Sequence, residues 1–284
     1  MEDECIFYAE TDDNGYAFKV LLDCMADFYG RIDLSISNTG IEISKTDPPL
    51  MMTSHHVMLN RDGFGVYKCK YTEQNPLKIT IDLKLLQRLL KNTKKKESII
   101  LYMKNSKKFT LRLRQDSNKS NLNTRCEELT IKTQKLEESD EVQEYPGNAC
   151  YYDPMVIQST DYQKIKKLNR DGTLKICMEE DNYLAIIDTD ATYESKIYFG
   201  EQKEAGTYQW EAVFDKETIK KTAKITGLSS KIQFCCPREC EDDSFPYPLL
   251  IKVNVGELGS LRIFIRDKIT VDKEKESNEG LLSY

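Results

Sequence analysis

The residues best suited to metal or nucleophilic chemistry are three cysteines near the C-terminus and two adjacent histidines. Cys235, Cys236 and Cys240 are the cysteines whose spacing suggests zinc. Adjacent strand residues point to opposite faces, and no fourth ligand is nearby, so ordinary strand thiols are the better interpretation. His55 and His56 stand together in a presumed loop, without a nucleophile elbow, a phosphate-binding glycine loop or an HExxH motif. The sequence therefore predicts no enzyme, no metal site and no cofactor.

Basic side chains recur on the polar faces of three predicted helices, although the net charge of the chain is -6. They are Lys84, Arg88 and Lys91; Lys164, Lys166, Lys167 and Arg170; and Lys216, Lys220, Lys221 and Lys224. Lysine is common on helix surfaces, but three such helices in one acidic chain indicate that positive charge is segregated onto one surface. Such a surface attracts a phosphate backbone without reading bases.

Four short amphipathic helices carry these residues, at 15–29, 83–92, 160–169 and 215–226. Helices of this length are marginal alone and need a sheet to lie on. Each is followed by two segments with the alternation of half-buried antiparallel strands, and SLRIFIRDKI closes the last sheet. The helix–hairpin pattern occurs twice in each half of the chain, as a repeat of pattern rather than of identity. These features predict an α+β fold with two similar domains of antiparallel sheets and two short helices each.

Composition shifts set the predicted domain boundaries. We expect an N-terminal domain at 1–128, a polar and acidic connector at 129–147, a C-terminal domain at 148–270 and a disordered tail at 271–284. No run of about 18 apolar residues is present, so no membrane span is expected. The acidic start lacks a signal-peptide core, and nine scattered cysteines indicate reduced thiols in the cytosol or nucleus.

Several segments, in order and spacing, resemble the DNA sliding clamp family, most closely proliferating cell nuclear antigen. They are KVLLDCMADFYGRIDLSISNTGIEISKTD, GFGVYKC, ITIDLKLLQRLLK, TAKITGLSSKIQFCC and YPLLIKVNVGELGSLRIFIRDKI. The last two are the most specific, because TAKITGLSSKIQFCC keeps the family's LSS pattern and the final segment follows the family's C-terminal signature in register. The resemblance extends over most of the chain, and its divergence is compatible with a viral or protist origin.

The resemblance implies a head-to-tail homotrimeric ring that encircles duplex DNA, independently of sequence, and tethers replication and repair proteins such as DNA polymerase. It implies loading by a separate clamp loader, and residence in the nucleus or in a viral replication compartment. We expect KKFTLRLR of one chain to pair with YESKIYF of the next. Carried across position by position, the DNA-facing residues are Lys19, Arg88, Lys91, Lys164, Lys167 and Lys224, with Lys220 and Lys221 on the same helix.

In the family, client proteins insert a short aromatic-bearing peptide into an apolar pocket beneath the connector. The corresponding residues here are Ile43, Thr46, Leu50, Met51, Val142, Tyr145, Pro146, Pro248, Phe264 and Ile269. The chain departs from the pattern in three ways, with Arg266-Asp267 in place of Ala-Pro, a longer loop containing Pro48-Pro49, and a more acidic connector. These departures predict a pocket that accepts a different peptide or a narrower set of clients, while simple core packing is the alternative for its apolar residues.

Three other functions share the predicted fold. The chain is alternatively a subunit of a heterotrimeric checkpoint clamp, a virus-encoded clamp-like replication or transcription factor, or an interaction module that has lost DNA binding. The fit between the chain's own two sheet edges separates a homotrimer from a heterotrimer, and charge reversal of the helix lysines tests DNA binding.

Overall fold

The computed structural model describes residues 4–46, 52–91, 93–95, 97–114, 126–135, 150–168, 172–179, 183–189, 192–200, 208–238 and 247–281. The first-half strands are β1 (Phe7–Glu10), β2 (Arg31–Ile36), β3 (Gly40–Thr46), β4 (Thr53–Asn60), β5 (Val66–Cys69), β6 (Leu77–Asp82), β7 (Ser98–Asn105), β8 (Lys108–Arg114), β9 (Cys126–Lys132) and β10 (Gln134–Lys135). The second-half strands are β11 (Met155–Gln158), β12 (Thr173–Glu179), β13 (Tyr183–Thr189), β14 (Glu194–Phe199), β15 (Tyr208–Asp215), β16 (Lys231–Cys235), β17 (Leu249–Val255) and β18 (Gly259–Ile265). The α-helices are α1 (Gly15–Met25), α2 (Leu83–Leu90), α3 (Ser159–Tyr162), α4 (Lys216–Thr222) and α5 (Lys268–Leu281).

The strands form three antiparallel sheets. A five-stranded sheet of the first half has the order β5-β1-β7-β8-β9, and a four-stranded sheet of the second half has the order β14-β13-β12-β15. The third sheet has nine strands in the order β10-β6-β2-β3-β4-β18-β17-β16-β11, so strands of both halves share it. Its two halves meet where β4 pairs with β18 along Thr53–Asn60 and Gly259–Ile265, a junction that we call the seam.

Alternating apolar residues on the strands place one face of each sheet in a common core beneath the helices. Val57 and Leu261, opposite each other across the seam, are both fully buried, and Leu21, Leu86 and Ile219 of the helices reach the same core. A half-buried strand needs only one apolar face, which explains the alternation found in the sequence. The α+β architecture with two similar halves is therefore as the sequence predicts.

The helices are shorter than predicted. The first begins at Gly15 but ends at Met25, because the Asp27 and Phe28 amides bond to carbonyls three residues earlier and the chain leaves the α-helical path. The third and fourth are α-helical only over Ser159–Tyr162 and Lys216–Thr222 and continue as 3-10 turns, Gln163–Lys167 and Ala223–Gly227. In the fourth, threonine hydroxyls donate to carbonyls three residues back, for example Thr222 Oγ1 to Ile219 O at 2.6 Å, and compete with regular helix bonds.

The predicted disordered tail at 271–284 is wrong for the part that the structure describes, which forms α5 up to Leu281. The Asp267 carboxylate accepts a hydrogen bond from the Thr270 amide at 2.9 Å and so caps the start of the helix. Val271 is buried, and Lys268 lies 3.6 Å from Asp272 one turn later. The low apolar content of this segment concealed an anchored helix, because one buried side chain and a cap are enough to hold its first turn.

The predicted boundary at residue 128 falls inside β9, which pairs with β8 along Cys126–Lys132. The strand therefore continues to Lys132, into the part of the chain that the sequence assigned to the connector at 129–147. The same pairing corrects a second prediction, that KKFTLRLR forms the open edge of its sheet. Because β8 lies between β7 and β9, the strand at that edge is β9, whereas β14 is an edge strand as expected from YESKIYF.

Candidate nucleic-acid interface

The helices pack side by side across the two halves of the chain. Helix α1 lies between α2 and the 3-10 turn that follows α4. That turn in turn packs on α3 and on the 3-10 turn that follows α3. The Gln87 amide donates to Asp23 Oδ1 at 3.2 Å, which links α2 to α1. The apolar faces of these helices lie on the core, so their polar faces form one continuous surface, which we call the helix layer.

Three of the predicted DNA-facing lysines lie in the grooves between neighbouring helices. Lys19 Nζ on α1 donates to the Lys91 carbonyl at the end of α2, at 3.3 Å. Lys220 Nζ on α4 donates to the Leu168 carbonyl after the third helix. Lys224 Nζ reaches the Asp23 carbonyl on α1 and lies 2.6 Å from Asp27 Oδ1 just after that helix. Cations are thus distributed across the whole width of the helix layer.

Three predicted cations are exposed and have no ion pair with any residue in the described ranges, namely Arg88, Lys91 and Lys167. Lys164 is paired with Asp161 at 2.8 Å, and Lys221 with Glu217 at 3.0 Å. Exposed pairs such as these are weak, so a phosphate can compete for either lysine. The structure therefore places all eight predicted cations on the helix layer, with unequal freedom to meet a polyanion.

Helix α1 interrupts the positive charge. Asp23 and Asp27 lie in the middle of the helix layer, and Asp27 partly neutralises Lys224. With Lys19 on the same helix, this part of the layer carries both signs of charge. Two further exposed lysines, Lys84 and Lys166, belong to the same helix faces and make no ion pair in the described part of the chain. An uneven surface of this kind favours loose contacts with a phosphate backbone over a fixed docking site.

The residues predicted for the client pocket are only partly brought together. Thr46 and Phe264 lie on either side of Ser54 on the outer face of the nine-stranded sheet, and Thr46 Oγ1 is 3.1 Å from Ser54 Oγ. Ile43 is wrong as a pocket residue, because its side chain is on the opposite face and is 1% exposed in the core. Leu50, Met51, Val142, Tyr145 and Pro146 lie outside the described residues.

Phe264 packs with Leu250, Cys235 and Tyr151 on the outer face and is almost fully buried. Pro248 is half-buried, and Ile269 is 50% exposed at the start of α5. The pairing pattern of the strands indicates this outer row, because residues opposite one another on adjacent strands share a face.

A cleft of about 270 Å³ lies between β15 and α5, lined by residues that include Ile269. Trp210, Phe214 and Tyr247 supply its other apolar surface, and Asp267 lies at its edge with one carboxylate oxygen 2.8 Å from the Val213 amide. Sequence reasoning missed this cleft because the helix that forms one wall was expected to be disordered.

The groups that are reactive in other proteins are protected here. Burial raises the pKa of the Cys24 thiol to about 12 and raises the pKa of the Cys236 thiol as well. Burial also lowers the pKa of His55 to about 3, and its Nδ1 lies 2.8 Å from the Tyr29 hydroxyl. His56 Nε2 is 3.0 Å from Glu42 Oε1, and this hydrogen bond lowers the pKa of the Glu42 carboxyl. These groups therefore have a structural role in the folded chain.

The cysteines considered for zinc do not converge in the described part of the chain. Cys235 and Cys236 are buried in different apolar clusters, and Cys240 lies outside the described residues. Among the described residues, no group of three or more His, Cys, Asp or Glu side chains is arranged to hold a metal ion. No described helix combines the length and apolarity needed to cross a bilayer.

Known proteins resemble this chain in sequence and in architecture. Residues 8–141 match the family model for the proliferating cell nuclear antigen, N-terminal domain. A probable DNA polymerase sliding clamp 1 of Paramecium bursaria Chlorella virus 1 is 23% identical over 276 residues, which cover 93% of this chain and 98% of that protein. The crystal structure of proliferating cellular nuclear antigen from Entamoeba histolytica is 19% identical, with a TM-score of 0.72 over 93% of this chain and 99% of that one.

The fold of the chain is that of a sliding clamp. The match of residues 8–141 and the viral relative together support a divergent sliding clamp similar to proliferating cell nuclear antigen.

Proposed function

We propose that this chain assembles into a closed homotrimeric ring that encircles duplex DNA and acts as a processivity factor in replication and repair. The observation that supports this proposal is the seam. Within the chain, the edge strand β4 of one half pairs with the edge strand β18 of the other and completes a nine-stranded sheet. Two other edge strands, β9 and β14, end a five-stranded and a four-stranded sheet, and joining them between chains would give another nine-stranded sheet.

A head-to-tail contact of this kind uses two different surfaces of each chain, so it closes into a ring if the rotation per chain permits. Pairing between chains would also cover the edges of β9 and β14, which otherwise invite aggregation. The helix layer would then line the hole. Its cations would meet phosphates through screened, sequence-independent contacts that hold the ring on the duplex but let it slide.

Tethering rather than catalysis is the proposed mode of action. A client attached to a ring on DNA remains near the primer end, which raises its effective concentration and therefore its processivity. We propose DNA polymerase and other clamp-binding peptides as clients, and a separate clamp loader as the protein that opens the ring. The proposed location is the nucleus or, in keeping with the chlorella-virus relative, a viral replication compartment.

The client surface is proposed on the outer face around Thr46, Pro248 and Phe264, continuing towards Ile269, with Tyr145 of the connector taking part. Tyr145→Ala should weaken binding of a fluorescein-labelled clamp-binding peptide several-fold in an anisotropy titration. Lys104→Ala, at an exposed position of β7 away from the sheet edges, serves as the control for substitution itself. Equal affinity for wild type and Tyr145→Ala would remove Tyr145 from the site.

The first test is the solution mass of the purified chain across a dilution series, by light scattering and native mass spectrometry. Three chains of 32.9 kDa give about 99 kDa, and we expect that mass to persist on dilution. A monomer or dimer at every concentration would contradict the homotrimer. That outcome would turn the search to partner chains, because a heterotrimeric checkpoint clamp uses the same fold.

A further inference from the structure

The two halves of the chain differ at one sheet edge. In the five-stranded sheet of the first half, β5 lies outside β1, in the order β5-β1-β7-β8-β9. The corresponding strands of the second half have the order β11-β16-β17-β18 within the nine-stranded sheet, and no described strand lies outside β11. The edge of β1 is therefore covered by β5, whereas the edge of β11 is open.

The second half has too short a connection to supply the missing strand. Residues 61–76 join β4 to β6 and contain β5, whereas residues 200–207, half as many, join the corresponding strands β14 and β15. Those two strands lie at opposite edges of the four-stranded sheet, so their connection has to bridge three strand spacings of about 4.8 Å each. Few residues are left for a strand of its own.

The hydrogen-bond register shows which backbone groups of β11 face the open edge. The Ser159 amide donates to the chain just before β16, at 2.9 Å. Hydrogen bonding alternates along an antiparallel strand, so Met155 and Ile157 also bond to β16. The amides of Val156 and Gln158 and the Val156 carbonyl therefore face away from β16. In the described part of the chain, no strand pairs with this side of β11.

The side chains at this edge leave it open to a further strand. Val156 is 51% exposed, and β11 contains no charged residue and no proline, which are common devices against unwanted strand pairing. The four strands β11, β16, β17 and β18 contain three basic residues, Lys231, Lys252 and Arg262, and no acidic one. The outer face beside β11 is therefore positive.

The covered edge of the first half is a template for the open one. The Thr11 and Ser159 amides both donate to the neighbouring strand where the chain turns towards its helix, so these two residues correspond. Two residues earlier, Ala9 of β1 corresponds to Ile157 of β11. Tyr67 of β5 lies opposite Ala9 in an antiparallel pair. A strand added to β11 in the same way places one side chain inwards, opposite Ile157.

The core beneath the two edges sets the size of that side chain. The Tyr67 ring lies 5.7 Å from the Phe7 ring, and its hydroxyl donates to the Ser37 carbonyl at 2.7 Å, so β5 closes the core at this point. Ile157 is larger than Ala9 and is buried, so it takes up part of the space that Tyr67 has in the first half. An aliphatic side chain fits opposite Ile157 better than an aromatic one.

We propose that β11 binds an extended segment of a partner protein, which adds antiparallel to the open edge in the position that β5 has on β1. The segment has aliphatic side chains opposite Met155 and Ile157, and an acidic side chain opposite Gln158, where the outer face is positive. Backbone hydrogen bonds supply affinity in this mode of binding, and alternate side chains supply specificity. The site involves neither the helix layer nor β9 and β14, so it does not depend on the proposed ring.

The experiment titrates the full chain into a fluorescein-labelled peptide that contains Glu-Val-Thr-Val between flexible Gly-Ser ends, followed by anisotropy. We expect saturable binding. Proline in place of the peptide's threonine removes the amide that bonds to the Val156 carbonyl and should weaken binding about fivefold or more. Val156→Pro removes the outward amide but no bond to β16, and should weaken binding to the same degree. Val156→Thr keeps that amide and should bind within about twofold of wild type.

Hydrogen exchange of the wild-type chain, resolved to single amides by NMR, tests the mode of binding without any substitution. At saturating peptide, the amides of Val156 and Gln158 should exchange about tenfold more slowly, while those of Met155 and Ile157, already bonded to β16, should change little. A peptide that does not bind at millimolar concentration, or that protects other residues, would overturn the proposal. Protection that appears without peptide and rises with protein concentration would also overturn it, because a second copy of this chain would then occupy the edge.

Discussion

A buried ion pair at the start of α4 offers a sharp test of how the second half of the chain is held together. Lys216 Nζ lies 2.6 Å from Asp188 Oδ1 at the end of β13, and the two side chains are 3% and 1% exposed. The Tyr193 hydroxyl donates to the other carboxylate oxygen at 3.1 Å, just before the edge strand β14 begins. Lys216→Met preserves the length of the side chain but removes its charge.

The expected loss is large because the Asp188 carboxylate would stay buried without its ammonium partner. Removing one member of a buried pair costs about 3–5 kcal/mol in free energy of unfolding. At roughly 2–4 °C per kcal/mol for a chain of this size, the melting temperature should fall by about 6–20 °C. The exposed pair between Lys104 and Glu4, 3.6 Å apart, is worth at most about 1 kcal/mol, so Lys104→Met is the matched control.

Thermal and urea unfolding, followed by circular dichroism, would compare wild type, Lys216→Met and Lys104→Met. The double variant Lys216→Met with Asp188→Leu should recover part of the loss, because apolar side chains can replace a buried pair with little cost. A Lys216→Met protein whose free energy of unfolding lies within about 1 kcal/mol of wild type would refute the reasoning, since a buried, unpaired carboxylate should cost more than that.

Three further predictions concern the helix layer, the seam and α5. Lys167→Glu with Lys221→Glu should weaken binding to a labelled duplex by more than about tenfold and flatten its salt dependence, whereas Lys104→Glu should not; unchanged polymerase stimulation on primed DNA would refute the channel. His55 stays neutral in the fold because its pKa is about 3, so its contribution to stability is complete above pH 6.5 and is lost as the pH falls towards 3. The free energy of unfolding, measured in urea titrations, should fall by about 2 kcal/mol between pH 7 and pH 5, and His55→Asn should reduce that fall. An equal fall in wild type and variant would contradict the prediction. Val271→Asp should release α5, seen as faster hydrogen exchange over residues 268–281, and unchanged exchange would show that burial of Val271 does not hold the helix.

The strands and the first residues of the helices could be predicted because their signals are local. Alternation of apolar residues located the hairpins, and the aspartates before α2 and α4 cap their helices as typical first-turn signals. The ends of the helices could not be predicted, since 3-10 turns depend on threonine hydroxyls and on packing against the next helix. Helix α5 was missed because it is held by the Asp267 cap, the Arg266–Glu274 ion pair and one buried valine, which together add little to the apolar content of the segment.

The site residues likewise divide into those that the sequence could predict and those that it could not. The cations on the helix layer could be predicted because helical spacing fixes which side chains face solvent. The pairing of Lys224 with Asp27 could not, because it joins residues 197 positions apart in the chain. Ile43 was assigned to the outer pocket although strand alternation puts it in the core. The connector was predicted to begin at residue 129, within β9, because edge strands often carry charge in place of a clear apolar pattern.

The seam joins strands from distant parts of the chain, since β4 spans Thr53–Asn60 and β18 spans Gly259–Ile265. During synthesis the first half therefore leaves the ribosome long before its partner strand exists. The nine-stranded sheet is completed only when almost the whole sequence has been translated, because domains fold in the order in which they are made. A chain interrupted before β18 would leave the edge of β4 uncovered and open to pairing with other chains.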